Sequence, residues 1–599
     1  MWRRTYLFLI LIRLYFALSA SYLHPDEHFQ GPEVIAGRVF KYPVHQTWEF
    51  TSSTPIRSVF PLWLAYGLPM YTLRLLWEGV GQDEVAPIVV YWALRILMFM
   101  LSFVLEDWAI QELVEQPRQR HMALLLVASS YATWTYQTHT FSNSIETLVV
   151  LWCVVLIRRI VEDKKHTGLF ASFVLGFLMT LGTFNRITFP AFVLLPALSL
   201  IPHFLRKPLS LVTIIIATVT TASIAIISDT SFYRNTDLAK LTLREVIQSP
   251  VIPPLNSLRY NSNASNLAHH GLHPRTNHIF VNLPLLLGPA TLPLLSTFTK
   301  TLRRYLRRLR SATPPITPIS PSTTGPRPPS PLTPTQPPPS PFTTPLPLPL
   351  ASTALVAIAI LSLFPHQEPR FLLPAVPLLL TCVRVPRLRR PARSFTLAWV
   401  LFNALLGTLM GTYHQGGVVR VQGWLAHNLQ LNQKLGAATI ALPPPAAQIA
   451  VDPPMNVTVR EIIWWKTYSP PLWILNGANG VVETVDMMGA ERAVVLDRLK
   501  VGTRKACYPT ERSGLSEAVF LVAPKAVRLL GPGDQSYGVV GEKNFGRGRG
   551  LRVRMEHLDT RHVGMDDLDW GTDGVIGTLW NLVSERGLVV WSIWRDCGG

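Results

Sequence analysis

Charge is what this sequence has least of. Only 15% of its 599 residues are Asp, Glu, Lys or Arg, against about a quarter in soluble chains. The shortage falls mainly on one sign, with 36 acidic residues against 55 basic ones and a net charge of +19. Cysteine is scarce as well. Cys153, Cys382, Cys507 and Cys597 are the whole complement, and their spacing fits no zinc site. No basic patch is interleaved with aromatics on a soluble module, which argues against nucleic acid as the partner of the positive charge.

What the chain does have is apolar runs, with its charges bunched between them. The first run follows Met1-Trp2-Arg3-Arg4 and ends near Ala20. A cleaved signal peptide is the competing reading of such a start. Arg13 interrupts the run and a dense polar motif follows at once, so a retained helix fits better. Further runs lie near 86–106, 121–137, 144–160, 168–184, 187–204, 208–228, 278–299, 350–364, 369–385 and 394–412. Each approaches the length that crosses a bilayer. A run over 59–77 is broken up by Arg74, Pro61 and Pro69. If it is not a span, Arg118 and Arg120, Arg158-Arg159, Lys164-Lys165, Arg206-Lys207, Arg303 to Arg310 and Arg384 to Arg393 all fall on the cytoplasmic side. That is the positive-inside tendency. The expectation is a mainly α, polytopic membrane protein of about eleven spans. Its amino terminus is cytosolic, its carboxy terminus luminal, and residues 59–77 form an amphipathic interfacial helix inside a long first luminal loop, 21–85.

Residues 311–349 hold 16 of the 51 prolines, with Ser and Thr. That composition builds no core. It reads as a disordered cytosolic insertion whose PxxP patterns suit a proline-recognition partner. From 416 to 599 Gly, Asp and Glu rise and short β-branched runs appear, such as Val481-Val482 and Leu588-Val589-Val590. This predicts a luminal α/β domain after a transmembrane module covering 1–415. Asn263 and Asn456 head glycosylation sequons on the expected luminal side. Cys507 and Cys597 share the last domain and could pair in an oxidising lumen.

Five polar motifs emerge on that same side. The first is His24-Pro25-Asp26-Glu27-His28-Phe29-Gln30, reading on to Glu33. Pro25 stops the preceding helix, so two adjacent carboxylates fall on a loop at the membrane surface. Alone, this reads equally as a solvated acidic turn. The second runs from Thr138-His139 through Asn143 to Glu146, and also reads as a capped helix start. The third is Asn185-Arg186 in a tight luminal turn, an arginine against the charge rule and so a candidate for a carboxylate or a phosphate. The fourth is a loop over 229–277 with His269-His270-Gly271-Leu272-His273-Pro274-Arg275. Its histidines lack a companion zinc ligand at suitable spacing, which leaves phosphate contacts as the better reading. The fifth is His366-Gln367-Glu368-Pro369-Arg370-Phe371.

One side of the membrane therefore carries carboxylates, histidines, arginines and amides, and the other little but lysine and arginine. A structural protein needs no such asymmetry. A pump or carrier would place ionisable groups in mid-span, where this chain has few. The layout suits an enzyme acting at the luminal interface on a lipid-linked phosphate.

Taken in order, His-Pro-Asp-Glu-His-Phe-Gln-x-x-Glu, Thr-Phe-Ser-Asn-Ser-x-Glu, Asn-Leu-Ala-x-His-Gly-Leu-His-Pro-Arg and His-Gln-Glu-Pro-Arg-Phe-Leu resemble the dolichyl-phosphate-mannose-dependent mannosyltransferases of the GT-C fold. More narrowly they resemble the subgroup that adds the fourth mannose to the glycosylphosphatidylinositol (GPI) precursor. The likeness covers residues 1 to about 475, including Lys466-Thr467-Tyr468-Ser469-Pro470-Pro471. It departs at His139, where many relatives carry arginine. The resemblance implies an enzyme of the endoplasmic reticulum membrane whose partners are dolichyl phosphate mannose, the GPI glycolipid and membrane lipids. It implies α1,2 transfer with inversion. One carboxylate must then take the acceptor proton, as the general base does in an inverting glycosidase. Asp26 is the candidate base, with Glu27 as alternate base or as the residue that orients it. His273, Arg275 and Arg370 are candidates for the phosphate, with Arg186 and His139 behind them. Glu33, Asn143 and Glu368 are candidates for orienting sugars, and His24, His28, Gln30, Glu146, His270 and His366 complete the expected substrate-binding set. No cofactor is required, and a divalent metal is optional.

Overall fold

The structure, a computed structural model, describes residues 2–81, 84–163, 166–268, 271–311, 347–385, 389–432, 437–442, 455–475, 477, 480–507, 516–527, 545–548, 551–564 and 574–595. The expected Pro-rich insertion lies outside them, apart from its ends. So do His269, His270 and Cys597, and with Cys597 the expected pairing to Cys507.

The chain is helical as far as Asn428 and then forms a mixed sheet. At the centre of the helical part stands Ser142–Glu162. Its Leu, Val and Ile residues face every direction, and Leu148 through Leu151, Val154, Val155 and Ile157 are all buried. A helix apolar on all sides belongs inside a bundle. It packs with Leu175, Phe189, Phe192, Leu286, Ile358 and Leu379 from the helices around it. Among the described residues, four helices are long and apolar enough to cross a membrane: Pro87–Leu113, Pro208–Tyr233, His278–Arg304 and Arg390–Tyr413. Of the other expected spans, that at 144–160 is the unbroken helix Ser142–Glu162, and the rest are shorter or broken. The run at 121–137 divides into Pro117–Ala128 and Tyr131–Thr135, and that at 187–204 into Phe189–Leu198 and Ile201–Arg206. Leu169–Asn185 crosses Pro208–Tyr233 so closely that a Cβ on Gly176 would lie 2.8 Å from the Ile214 carbonyl oxygen. Small residues permit such approaches between apolar helices.

Residues 60–79 are helical throughout, with a π-helical turn at Trp63–Gly67. Tyr66 and Met70 are buried, while Leu64, Leu68, Tyr71, Leu75 and Leu76 are exposed. The start of this helix is fixed by Asp229 at the end of Pro208–Tyr233. Its carboxylate accepts from Ser58 Oγ (2.8 Å), Val59 N (2.7 Å) and Phe60 N (3.3 Å). A carboxylate on the first free amides of a helix is a cap supplied from elsewhere in the chain. The same two loop regions meet again where Asn256 Nδ2 donates to the Pro55 carbonyl (3.0 Å) and where the Trp48 and Tyr260 rings lie 5.0 Å apart.

The sheet contains β1 (Gln430–Asn432), β2 (Ala437–Leu442), β3 (Met455–Trp464), β4 (Glu483–Asp486), β5 (Ser516–Pro524), β6 (Phe545–Gly548), β7 (Leu551–Asp559) and β8 (Leu588–Arg595). Their order is β1-β2-β3-β5-β8-β7-β6, with β4 beside β3. The β3–β5 and β3–β4 pairs are parallel; the other named pairs are antiparallel. One face packs on Val418, Val421 and Leu425 of the helix Gly417–Asn428, together with Tyr22. The other packs on Val495, Leu496 and Leu499 of Arg492–Gly502. Tyr22 ties the sheet to the first polar motif. Its amide donates to the His414 carbonyl (3.1 Å), and its hydroxyl to that of Ser469 (2.9 Å).

Candidate active site

Pro25 closes the extended segment after the first helix, and Asp26–Phe29 form one helical turn. That turn sends its two carboxylates in different directions. Asp26 stays partly open, 23% exposed, and Glu27 is fully buried. Asp26 Oδ2 receives Arg370 Nη1 at 2.6 Å and Gln30 Nε2 at 2.5 Å. Among the described residues, its Oδ1 has only the longer approach of His24 Nδ1, at 3.4 Å. Burial alone would raise the Asp26 pKa, but the Arg370 guanidinium holds it well below the carboxylate range. Arg370 also bonds through Nε to Glu368, whose other oxygen is 3.0 Å from His366 Nε2. One guanidinium thus sits between two carboxylates from separate loops.

Glu27 is a hub. Oε2 lies 2.8 Å from His139 Nδ1 and accepts from Leu23 N (3.3 Å); Oε1 lies 3.3 Å from Arg95 Nη1. Arg95 spends its other donors on the carbonyls of Phe16, Ala17 and Ser19, the frayed end of the first helix. Burial would raise Glu27, yet His139, then His28 and Arg95, hold it at about 2. The Glu27 carbonyl in turn accepts from Thr140 Oγ1 (2.8 Å). With both oxygens committed, Glu27 can aim the turn but cannot meet a solvent-borne hydroxyl.

Two further expected site residues point inward. Glu33 is fully buried, with Oε1 on the His45 amide (2.9 Å). Burial raises its pKa to about 8. His28 is 1% exposed, between Tyr22 and Tyr91, and among the described residues neither ring nitrogen has a hydrogen bond. Burial lowers its pKa to about 4.

The second and third motifs join each other. Arg186 Nε lies 3.3 Å from Glu146 Oε2 and its Nη1 donates to Ser142 Oγ (2.9 Å). Asn143 Nδ2 donates to Glu146 (3.4 Å), and Asn143 Oδ1 is buried with no hydrogen-bond partner among the described residues. Burial, Arg57 and Arg370 bring Arg186 down to about 10 against the pull of Glu146. The Phe371 ring lies between two guanidiniums, with Arg186 5.2 Å and Arg370 5.7 Å from its centroid. The fourth and fifth motifs are stitched by backbone. His273 N donates to the Pro365 carbonyl (2.8 Å) and His278 N to Gln367 Oε1 (2.8 Å). The His273 ring is 6.2 Å from that of His366, while the Arg275 side chain is exposed. Among the described residues, no three His, Cys, Asp or Glu side chains converge to hold a metal ion. The arrangement offers a proton acceptor, Asp26 Oδ1, beside a buried cationic surface formed by Arg370 and Arg186.

The sequence profile of the Alg9-like mannosyltransferase family matches residues 4–475. This chain belongs to that family.

Two curated relatives of this mannosyltransferase span nearly its whole length. GPI mannosyltransferase 4 of Aspergillus oryzae is 43% identical over 99% of this chain and 98% of its own. GPI mannosyltransferase 4 of Emericella nidulans is likewise 43% identical, over 99% and 98%. A distant likeness joins the mannosyltransferase to a crystal structure of ArnT from Cupriavidus metallidurans bound to undecaprenyl phosphate. It has 14% identity, a TM-score of 0.39, and covers 72% of this chain and 66% of that one. That likeness is too weak to bear on the site.

Three residues around the candidate site carry no motif in the sequence. Arg95 is a lone cation in an apolar run, which flags it only as an intramembrane charge needing a partner. Glu49 and Arg57 lie in the first loop, where Arg57 Nη2 is 2.9 Å from Glu49 Oε1. Asn263 is exposed, and Asn456 is exposed on β3 opposite Ala441 of β2.

Proposed function

We propose that this enzyme transfers mannose from dolichyl phosphate mannose to the 2-hydroxyl of the third mannose of the GPI precursor, in α1,2 linkage and with inversion. Asp26 takes the proton of the attacking hydroxyl. The new bond forms from that oxygen to the anomeric carbon as the bond from the anomeric carbon to the phosphate breaks, and dolichyl phosphate leaves. A phosphate leaves without a general acid, so the site must instead stabilise its charge. Arg370 is the principal contact, with Arg186 across Phe371 and with His273 and Arg275 at the open edge. Glu27 orients Asp26 through the helical turn they share. Asn143 and Glu368 hold sugar hydroxyls, and a divalent ion remains optional. The observation that carries this reading is the part-exposed Asp26 carboxylate on the Arg370 guanidinium, 2.6 Å apart. The name of the relatives supports the acceptor, and the membership of the family supports the sugar.

The membrane arrangement belongs to the same proposal. The polar loops face the lumen of the endoplasmic reticulum, about eleven segments cross or enter the bilayer, and the exposed leucines of 60–79 lie in the lipid interface. The sheet is then luminal. The test is mass spectrometry of the GPI intermediates in a null mutant. Accumulation of the three-mannose species, relieved by the wild-type gene, is expected. Accumulation of a two-mannose species, or of a truncated lipid-linked N-glycan, would redirect the acceptor.

A further inference from the structure

Beside Asp26 runs a second ion pair that no motif announces. Gln30 Nε2 has two acceptors, Asp26 Oδ2 at 2.5 Å and Glu49 Oε1 at 3.4 Å. Glu49 Oε1 also receives Arg57 through Nε (3.0 Å) and Nη2 (2.9 Å). Glu49 is 12% exposed and Arg57 19%. Both ride on residues 48–57, which the rest of the chain holds in place. The Arg57 carbonyl accepts from the Tyr233 hydroxyl, the Pro55 carbonyl from Asn256, and Trp48 lies against Tyr260. The pair is therefore fixed from outside and ends on the Gln30 amide nitrogen. That nitrogen carries two hydrogens, enough for one to each carboxylate. Losing Glu49 frees the amide to rotate, and Asp26 loses a fixed donor on Oδ2.

We propose that Glu49 and Arg57 are positioning residues for the transfer step. Their ion pair fixes the Gln30 amide, which with Arg370 occupies Asp26 Oδ2 and so presents Oδ1 to the acceptor hydroxyl. This rests on Asp26 being the base. It extends the functional set to two residues that touch neither the base directly nor the expected phosphate contacts. The pair also matters by charge. The titratable and charged groups around Asp26 are His24, Glu27 and His28 on its own turn, Arg95 and His139 against Glu27, Arg370 with Glu368 and His366 on the 366–370 loop, Arg186 with Glu146 at the paired helix ends, and Glu49 with Arg57. Arg57 lowers the Asp26 pKa and Glu49 is its counter-ion, so removing either one changes the field at Asp26 with a definite sign.

The test uses the full-length enzyme in microsomes, with dolichyl phosphate mannose and the three-mannose GPI lipid. Glu49→Gln should lower kcat roughly 10-fold, as misorientation of a reacting group does, with both KM values little changed. It leaves the Arg57 charge unbalanced, so the acidic limb of the kcat profile moves to lower pH. Arg57→Gln leaves Glu49 unbalanced, so the limb moves to higher pH. Glu49→Asp should recover part of the kcat loss. If Glu49→Gln does not accumulate, Arg57→Lys, which keeps the charge and loosens the geometry, is read by the same kcat-against-KM split. Unchanged kcat, a rise in donor KM alone, or limbs that move in the same direction would overturn the proposal. Wild-type enzyme inactive on this donor and acceptor would instead overturn the reaction assigned above.

Discussion

Arg370 and Asp26 form an ion pair of 2.6 Å, although they come from loops 344 positions apart in the chain. The pairing keeps the candidate base ionised but weak, because the guanidinium stabilises its charge. A phosphate brought to the same guanidinium competes for it. Donor binding would then relax the hold on Asp26 at the moment its basicity is required.

Replacing Arg370 should accordingly damage two things at once. Arg370→Gln keeps hydrogen bonding but loses the charge. A charge-assisted contact is worth about 1.5–3 kcal/mol. The donor KM should rise roughly 10- to 100-fold, and kcat should fall as well, in steady-state assays over a range of donor concentration. A change in acceptor KM alone would speak against the assignment.

Glu27 should behave as a structural residue. It is buried against Arg95 and His139 with both oxygens engaged. Breaking a buried pair from one side costs about 3–5 kcal/mol. Glu27→Gln and Arg95→Met should both lower the thermal midpoint in detergent and the amount of folded protein. Glu27→Gln at normal stability but with no turnover would revive it as the base.

Protonation of His28 should cost the fold stability in mild acid. Its folded pKa is about 4, below the ordinary 6.5, because burial disfavours the cation and Glu27 only partly offsets this. Between those values the unfolded chain binds more protons than the folded one, so stability rises with pH across the window and is lost as pH falls through it. Glu27, held at about 2, adds a loss at lower pH still. His28→Phe keeps a ring against Tyr91 and removes the titration. From pH 7 to 4 the denaturation midpoint of the wild type should fall relative to that of this variant, since the opposite contribution of Glu33, raised to about 8, is common to both.

Much of the site was legible because its residues occur in runs of polar side chains between apolar segments. Asp26, His139, Arg186, Glu368 and Arg370 stand out by being polar where the pattern allows little else. What could not be read was direction. Asp26 and Glu27 are adjacent and alike in sequence, and only their partners separate an open carboxylate from a buried one. Glu33 and His28 look like ligand-facing groups and turn inward instead. Arg13 reads as an interruption of the first apolar run, but it pairs at 2.7 Å with Glu106, 93 residues away. Glu49 and Arg57 have no periodic or motif signal, since their placement depends on contacts with Asn256, Tyr233 and Tyr260. Helix breaks were hidden for a similar reason. Ser129-Ser130 and Ser199-Leu200 divide runs whose composition looks continuous.

The central claim is that Asp26 removes the acceptor proton. Asp26→Asn preserves size and leaves an oxygen for Arg370, so it isolates the lost basicity. In microsomes supplied with labelled dolichyl phosphate mannose, the variant should be present and inserted at wild-type level and should transfer no detectable mannose to the GPI acceptor. Near-normal transfer by Asp26→Asn would contradict the account.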